Sequence, residues 1–421
     1  MKILLVNPPF EAFLKNPQAY FPLGLTYLAA ALKQFGDEVI VYDCDYDFGE
    51  IEHAPDDIET INHYEDYYRG VYDYNHPIWQ KVKKNISEIK PAVVGLTSYS
   101  TKLPATIHLT NWLAEQNIPV YIGGPHETTW GTGAGISIKG EGELKFARIL
   151  HPDLNIEFDP LKLIPDRKSL YRVNDYRPND LGLVMGERGC PFNCYFCQTK
   201  AIWGEKIRKR PIDHIIEEIK LINHDFGAKQ FYLCDDTFTY DLNRVKEFIE
   251  KIPEDFEWAC LTRPSTISRE LLSLLKKSKC IRVKLGIETG SPKMLKLIGK
   301  TETVEIYRKA AKLLAEFNID WTAYLMIALP QETEEDWQLT QKLIEELKPR
   351  WASGSIYTPF PKTILSENFK VDFSHHDWPR YSHQSPYAWS GLSKEKIIER
   401  IQWLKDYNKN HGGGNPYRQQ K

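Results

Sequence analysis

The sequence predicts an α/β protein built from two sheets in succession. Two observations carry this. Residues 1–150 alternate continuous apolar strand signals with helical ones, the pattern of a parallel, doubly wound sheet. Residues 181–360 then repeat a strand followed by a helix six times, enough for a partial (β/α)6 barrel. Between them, residues 151–180 are rich in Pro, Asp and Arg with no sustained periodicity and read as a linker. Residues 361–421 form a small C-terminal helical region that is expected to face the substrate.

In the first region KILLVNPP is a strand ending in a Pro-Pro turn, and LGLTYLAAALKQFG is a helix stopped at Gly36. DEVIVYD, PAVVGLTSYS, IPVYIGG and GISIKGEGE supply the second to fifth strands. ATIHLTNWLAEQN is the helix between the third and fourth. The acidic, Tyr-rich stretch 51–90 reads as a helical crossover with an insertion. In the second region the strands lie near LGLVMGE, KQFYLCDD, FEWACLT, IRVKLGIE, WTAYLMIAL and GSIYTPF. The helices between them begin near Pro211, Leu242, Ser268, Val304 and Glu334. The first carries Ile212, Ile215, Ile216 and Ile219 as one apolar stripe. SHHDWPRYSHQSPYAW is aromatic and histidine-rich, SKEKIIERIQWLKDYNKN is an amphipathic helix, and Gly412–Gly414 ends it.

The chain has 421 residues, with 42% hydrophobic and 26% charged, as expected of a soluble globular protein. A net charge of −3 offers no electrostatic case for nucleic acid or an anionic membrane. No apolar stretch approaches a membrane span. MKILLVNPPF reads as a strand and not as a signal peptide, so a cytoplasmic location is expected. Of seven cysteines, Cys44, Cys234, Cys260 and Cys280 lie in apolar strand contexts and read as buried free thiols.

The other three, Cys190, Cys194 and Cys197, stand in GCPFNCYFCQ as Cys-x3-Cys-x2-Cys directly after the first strand of the second region. Three thiolates on one tight loop can grip a single inorganic centre. They are one too few for a closed tetrahedral zinc site, which would need a distant Cys or His. A [4Fe-4S] cube held by three cysteines instead leaves one iron open for chemistry. The spacing resembles that of the radical S-adenosyl-L-methionine (SAM) enzymes. That resemblance implies SAM chelated by the open iron, its reductive cleavage to a 5′-deoxyadenosyl radical, and an electron donor of the flavodoxin or ferredoxin type.

Function should collect at the C-terminal ends of the strands. The resemblance implies that Phe196 lies near the adenine, against the alternative of plain loop packing. Asp235 and Asp236 stand where the family often has Gly-Gly-Glu and imply a contact to the SAM amine, although Asp also caps helices well. Arg263 suits the SAM carboxylate as a fork donor. Glu288, in GIETGS, suits the ribose or amine. LPQET resembles the family's Gly-Leu-Pro-Gly-Glu-Thr string, with Ala328 and Gln331 in place of its glycines. Tyr357 ends the sixth strand and is expected to face the substrate cavity.

Open sheets bind ligands at the C-terminal ends of their strands. In the first region those ends carry Asn7 and Pro8, Thr97 and Ser98, Gly123 and Gly124 with His126, and Gly140, Glu141 and Gly142. This set resembles the cobalamin-binding domain that precedes many radical SAM domains, and it implies that these residues contact cobalamin. The Asp-x-His-x-x-Gly motif that supplies a cobalt ligand elsewhere is absent after the first strand. His126 is read as a turn or corrin contact and not as a cobalt ligand. The GTGAG run at 131–135 lacks dinucleotide spacing and reads as a loop. Together the resemblances imply a cobalamin-dependent radical SAM methyltransferase acting on a weakly activated carbon of a small molecule, peptide or protein. A ring-forming or oxidising enzyme of the same plan is the alternative, and a non-catalytic sensor is the third reading.

Overall fold

The computed structural model describes residues 1–16, 21–46 and 56–411. The Gly412–Gly414 stop and part of the 51–90 insertion lie outside the described residues. Two compact units emerge, one of residues 1–181 with 201–203 and 373–382, the other of the remaining described chain.

The first unit holds a parallel sheet of β1 (Lys2–Asn7), β2 (Glu38–Asp43), β3 (Val93–Thr97), β4 (Val120–Gly123) and β5 (Ile136–Ser137), in the order β2-β1-β3-β4-β5. The chain leaves β1 toward β2 and returns to add β3 on the other side. This reversal opens a crevice at the C-terminal ends of β1 and β3. Ile3, Leu4, Leu5 and Val6 are all fully buried, which is why β1 reads as an unbroken apolar run. The helix Leu23–Lys33 ends near Gly36, whose φ of +79° is the left-handed turn glycine tolerates. The expected crossover at 51–90 contains helices Asp57–Asn62, Tyr64–Gly70 and Pro77–Ile89.

Residues 151–180 are not a loose tether. Tyr171 N–H donates to Val41 O at 2.8 Å, and buried Arg167 donates through Nε to Leu181 O at 2.9 Å. Residues 373–382, expected within a substrate-facing tail, pack with the first unit. Trp378 meets His126 edge-on at 4.8 Å, and Asp377 accepts from Tyr68 at 2.9 Å.

The second unit contains β6 (Leu183–Val184), the hairpin β7 (Glu187–Arg188) and β8 (Arg208–Lys209), then β9 (Gln230–Leu233), β10 (Glu257–Thr262), β11 (Cys280–Glu288), β12 (Trp321–Ile327) and β13 (Trp351–Ile356). β6 and β9 to β13 form one six-stranded parallel sheet in chain order. The hairpin was not expected from the sequence, and it forms the base of the cysteine loop. The helix Ile212–Phe226 buries the expected isoleucine stripe. The C-terminal helix Lys394–His411 covers the edge strand β13. Asn408 pairs with both backbone groups of Ala352 at 2.8 Å, which occupies bonding capacity an edge strand otherwise exposes.

Candidate active site

The cysteine loop leaves β7 at Gly189, whose φ is +105°; a Cβ there would stand 3.1 Å from Lys206 O. The loop is strapped from two sides. Tyr195 N–H donates to Ile298 O at 2.9 Å, and Leu365 N–H donates to Tyr195 O at 2.8 Å. A Cβ on Gly299 would run into the Tyr195 ring. Tyr195 and Phe196 pack against an apolar cluster that includes Met294, Ile298, Met326 and Tyr357. Tyr357 is buried in this cluster, so it shapes the apolar wall behind the loop.

Each of the three sulfurs has a protein group beside it. Cys190 Sγ lies 3.8 Å from Thr237 Oγ1. Cys197 Sγ lies 3.2 Å from Thr199 Oγ1 and accepts from Thr199 N–H at 3.4 Å. Cys194 Sγ accepts from Arg263 Nη1 at 3.2 Å. Thr237 and Thr199 favour the thiolate forms of Cys190 and Cys197 that metal ligation needs. Burial pushes the Cys190 thiol above its ordinary pKa, so iron would have to displace that proton. Among the described residues, no three Cys, His, Asp or Glu side chains converge as ligands of one ion do. A [4Fe-4S] cube attaches each cysteine to a different iron and does not require that convergence. Of the other four cysteines, Cys44 and Cys260 are buried and Cys234 and Cys280 half-buried, and none forms a disulfide among the described residues.

The strand ends bring the predicted charged residues to this loop with unequal freedom. Asp235 is buried and accepts from Gly186 N–H at 2.5 Å and Glu187 N–H at 3.0 Å. Burial pushes its carboxyl up to about 7 against those donors. Asp235 therefore ties β9 to the end of β6, while Asp236 is half-buried. Asp236 hydrogen-bonds Thr199 beside Cys197.

Arg263 follows β10 and donates through Nη2 to Glu302 at 2.6 Å while Nη1 meets Cys194. Glu288, at φ +63° on a bulge of β11, accepts from Lys300 at 2.9 Å. Lys300 also lies 3.7 Å from Glu302. Burial alone would raise Glu302. The charges of Lys300 and Arg263, with Ser265, overcome it and hold the carboxyl below the ordinary range. Four charges of balanced sign thus form one connected chain, which Arg263 joins to Cys194. Lys300 and Glu302 escaped the sequence reading because nothing in KTET marks it as more than a helix approach, and Ser265 because a single serine after Arg263-Pro264 carries no pattern.

After β12, Ala328 and Gln331 adopt φ of +62° and +61°. These are the two positions where the resemblance expects glycine, and the backbone keeps the left-handed form without it. Glu332 accepts from Ala328 N–H at 3.0 Å and pairs with Arg400 of the C-terminal helix.

In the first unit the crevice residues divide into two groups. Asn7 is buried between Asp43, to which it donates at 2.8 Å, and Lys102, from which it accepts at 2.8 Å. Lys102 also donates to Asp45 at 2.6 Å. Pro8, Thr97 and Ser98 are buried as well. Gly124, at φ +100°, lets the turn approach β3; a Cβ would come within 2.8 Å of Thr97 Oγ1 and 2.9 Å of Ser98 N. That close approach is chain to chain. His126 is buried, with Nδ1 3.0 Å from Ser100 Oγ, and burial pushes its pKa down to about 4. Gly123, Gly124, Gly140, Glu141 and Gly142 remain half-exposed along the strand ends. Tyr99, at the end of the third strand, and Trp130, which the sequence reading passed over, are exposed there at 47% and 46%.

The fold and this loop define a catalytic class. Residues 187–344 match the radical SAM superfamily, and the chain carries a radical SAM domain and is an enzyme. The cofactors of that domain are a [4Fe-4S] cluster and SAM. Over 408 residues the chain is 28% identical to an uncharacterised methyltransferase of Pyrococcus horikoshii, covering 87% of this chain and 83% of that one. It is 29% identical over 224 residues to the anaerobic magnesium-protoporphyrin IX monomethyl ester cyclase of Cereibacter sphaeroides, covering 52% of this chain and 36% of the cyclase. Its fold resembles the radical SAM methyltransferase TsrM of Kitasatospora setae, solved with cobalamin and a [4Fe-4S] cluster. That match has a TM-score of 0.66 and 16% identity, and covers 96% of this chain and 88% of TsrM. Among the described residues no helix is long and apolar enough to cross a membrane.

Proposed function

We propose that this protein is a cobalamin-dependent radical SAM methyltransferase acting on a weakly activated carbon. The observation that carries the reading is the cysteine loop after β7, each sulfur flanked by a protein group, with Arg263 on Cys194, Asp236 on Thr199, and Glu288 joined to Arg263 through Lys300 and Glu302. The second unit is read as a partial (β/α)6 barrel. When bound, the cluster would supply the electron that cleaves SAM to a 5′-deoxyadenosyl radical, and cobalamin the methyl group. Cys190, Cys194 and Cys197 would hold the cluster. Phe196 offers an apolar face to adenine. Asp236 offers a carboxylate to the SAM amine. Each Nη of Arg263 carries two hydrogens, so the guanidinium can meet the SAM carboxylate while keeping its present contacts. Glu288 would face the ribose.

The first unit supports a cobalamin site through its order β2-β1-β3-β4-β5, which opens at β1 and β3, and through half-exposed Gly123, Gly124, Gly140, Glu141 and Gly142 at the adjoining strand ends. Asn7, Pro8, Thr97, Ser98 and His126 would support that rim from within. Exposed Tyr99 and Trp130 suit a large flat ligand. The substrate is a small molecule, peptide or protein, and the electron comes from a flavodoxin- or ferredoxin-type donor. Similarity to the cyclase favours a second reading, radical chemistry without methyl transfer.

Anaerobically purified protein should contain iron, sulfide and cobalt together. Turnover should form S-adenosylhomocysteine and 5′-deoxyadenosine. Replacing Cys190, Cys194 and Cys197 with alanine should abolish 5′-deoxyadenosine while the first unit stays folded. Formation of 5′-deoxyadenosine without S-adenosylhomocysteine would select the second reading. Retained iron in the triple variant would refute the site.

A further inference from the structure

Arg263 is held in a way that SAM binding does not require. Its side chain is 8% exposed and that of Glu302 2% exposed. Glu302 Oε2 takes Nη2 at 2.6 Å. Glu302 Oε1 is itself fixed by Ser265 N–H at 3.0 Å and Ser265 Oγ–H at 2.7 Å. The guanidinium lies over the Phe192 ring, 3.9 Å from its centroid, and Phe192 belongs to the cysteine loop. These contacts leave Nη1 pointing at Cys194 Sγ, 3.2 Å away. A planar fork gripped on one arm and on one face places its other arm with little freedom.

We propose that Arg263, positioned by Glu302, sets the reduction potential of the cluster through the Cys194 sulfur. The inference rests on the reading of Cys190, Cys194 and Cys197 as cluster ligands. One-electron reduction adds a negative charge that spreads onto the cluster sulfurs and their thiolates. A fixed cation donating to one of those sulfurs stabilises the reduced form more than the oxidised form, and so raises the potential. Glu302 opposes it electrostatically while aiming it. Burial of both groups keeps solvent from screening either charge. Glu302 is a positioning residue, and Arg263 acts on the electron the cluster accepts from its donor.

The two charges act with opposite sign, and the test uses that. The potential of the reconstituted full-length protein is measured without SAM by an EPR-monitored titration with dithionite. Arg263→Met should make reduction about tenfold less favourable, about 59 mV lower for a one-electron couple. Glu302→Gln removes the negative charge and keeps one carbonyl oxygen, which can accept from Arg263 or from Ser265 but not from both, and it should raise the potential. A scaffold role would move both variants the same way or neither. Shifts of the same sign, or no shift in Glu302→Gln, would overturn the inference. Should Arg263→Met fail to hold a cluster, the sign of the Glu302→Gln shift decides alone. A parent protein that binds no iron or sulfide would overturn both the cluster reading and this one, and iron analysis of the parent separates that failure from the other.

Discussion

Loss of Arg400 should cost this fold several kcal/mol, about 3–5 for a broken buried pair. It sits on the C-terminal helix, with its side chain and that of Glu332 both 2% exposed. It pairs with Glu332, lies 3.6 Å from Glu334 through Nη2, and covers the Trp337 ring at 5.0 Å. Arg400→Met preserves most of the packing and leaves a buried carboxylate without its cation. Burial already pushes Glu332 upward, and Arg400 is the main force holding it down. Without that cation the carboxyl can escape by taking up a proton. From its ordinary value of 4.5, that uptake costs about 3.4 kcal/mol at pH 7 and about 1.4 kcal/mol at pH 5.5. This caps the loss near the range for broken buried pairs, roughly 3–5 kcal/mol. The sign follows from linkage. A carboxyl raised in the folded state is harmless below its unfolded pKa and destabilising as pH rises above it. Arg400→Met should therefore cost about 3 kcal/mol at pH 7 and less than half of that at pH 5.5. Adding Glu332→Gln should recover most of the loss at pH 7. Urea unfolding followed by tryptophan fluorescence suits the test, because Trp337 and Trp403 meet at 5.9 Å beside this pair. Equal losses at both pH values, or no recovery in the double variant, would refute the charge argument and leave packing as the cause.

Three further outcomes are expected. Gly299→Ala should lower cluster loading, because the new methyl displaces Tyr195 between Cys194 and Cys197; iron content and visible absorbance equal to the parent's would contradict this. Ala328→Gly and Gln331→Gly should each stabilise by about 0.5–1 kcal/mol: the left-handed backbone costs a non-glycine residue roughly 1–2 kcal/mol, and glycine's extra freedom when unfolded cancels part of the gain. Lower urea midpoints would show that the side chains matter more than the backbone. His126→Ala should leave the cobalt(II) EPR spectrum of the cobalamin-loaded protein unchanged, since the ring is enclosed by Ser100 and Trp378; loss of a nitrogen hyperfine pattern in that variant would show it to be a ligand.

Local chemistry was legible from the sequence alone. Continuous apolar runs marked the parallel strands, because strands covered on both faces leave no polar alternation. Three cysteines within eight residues marked an inorganic centre, because loop spacing by itself brings them together. The fourfold stripe from Ile212 marked a helix face. What the chain does at a distance was decided only in the tertiary structure. Arg263 and Glu302 are 39 residues apart and meet at 2.6 Å, and no local pattern announces such a pair. Asp235 and Asp236 are adjacent and chemically alike, yet strand direction turns one inward to backbone donors at Gly186 and the other toward Thr199. Residues 151–180 read as a linker because their irregular turns have no period, although the backbone N–H groups of Tyr171 and Asp166 hold them to Val41 and Thr26 of the first unit. Trp378 read as part of a C-terminal tail, and it packs on His126, 252 residues earlier in the chain. Periodicity reports the face a segment buries; which partner covers that face depends on contacts between segments far apart in sequence.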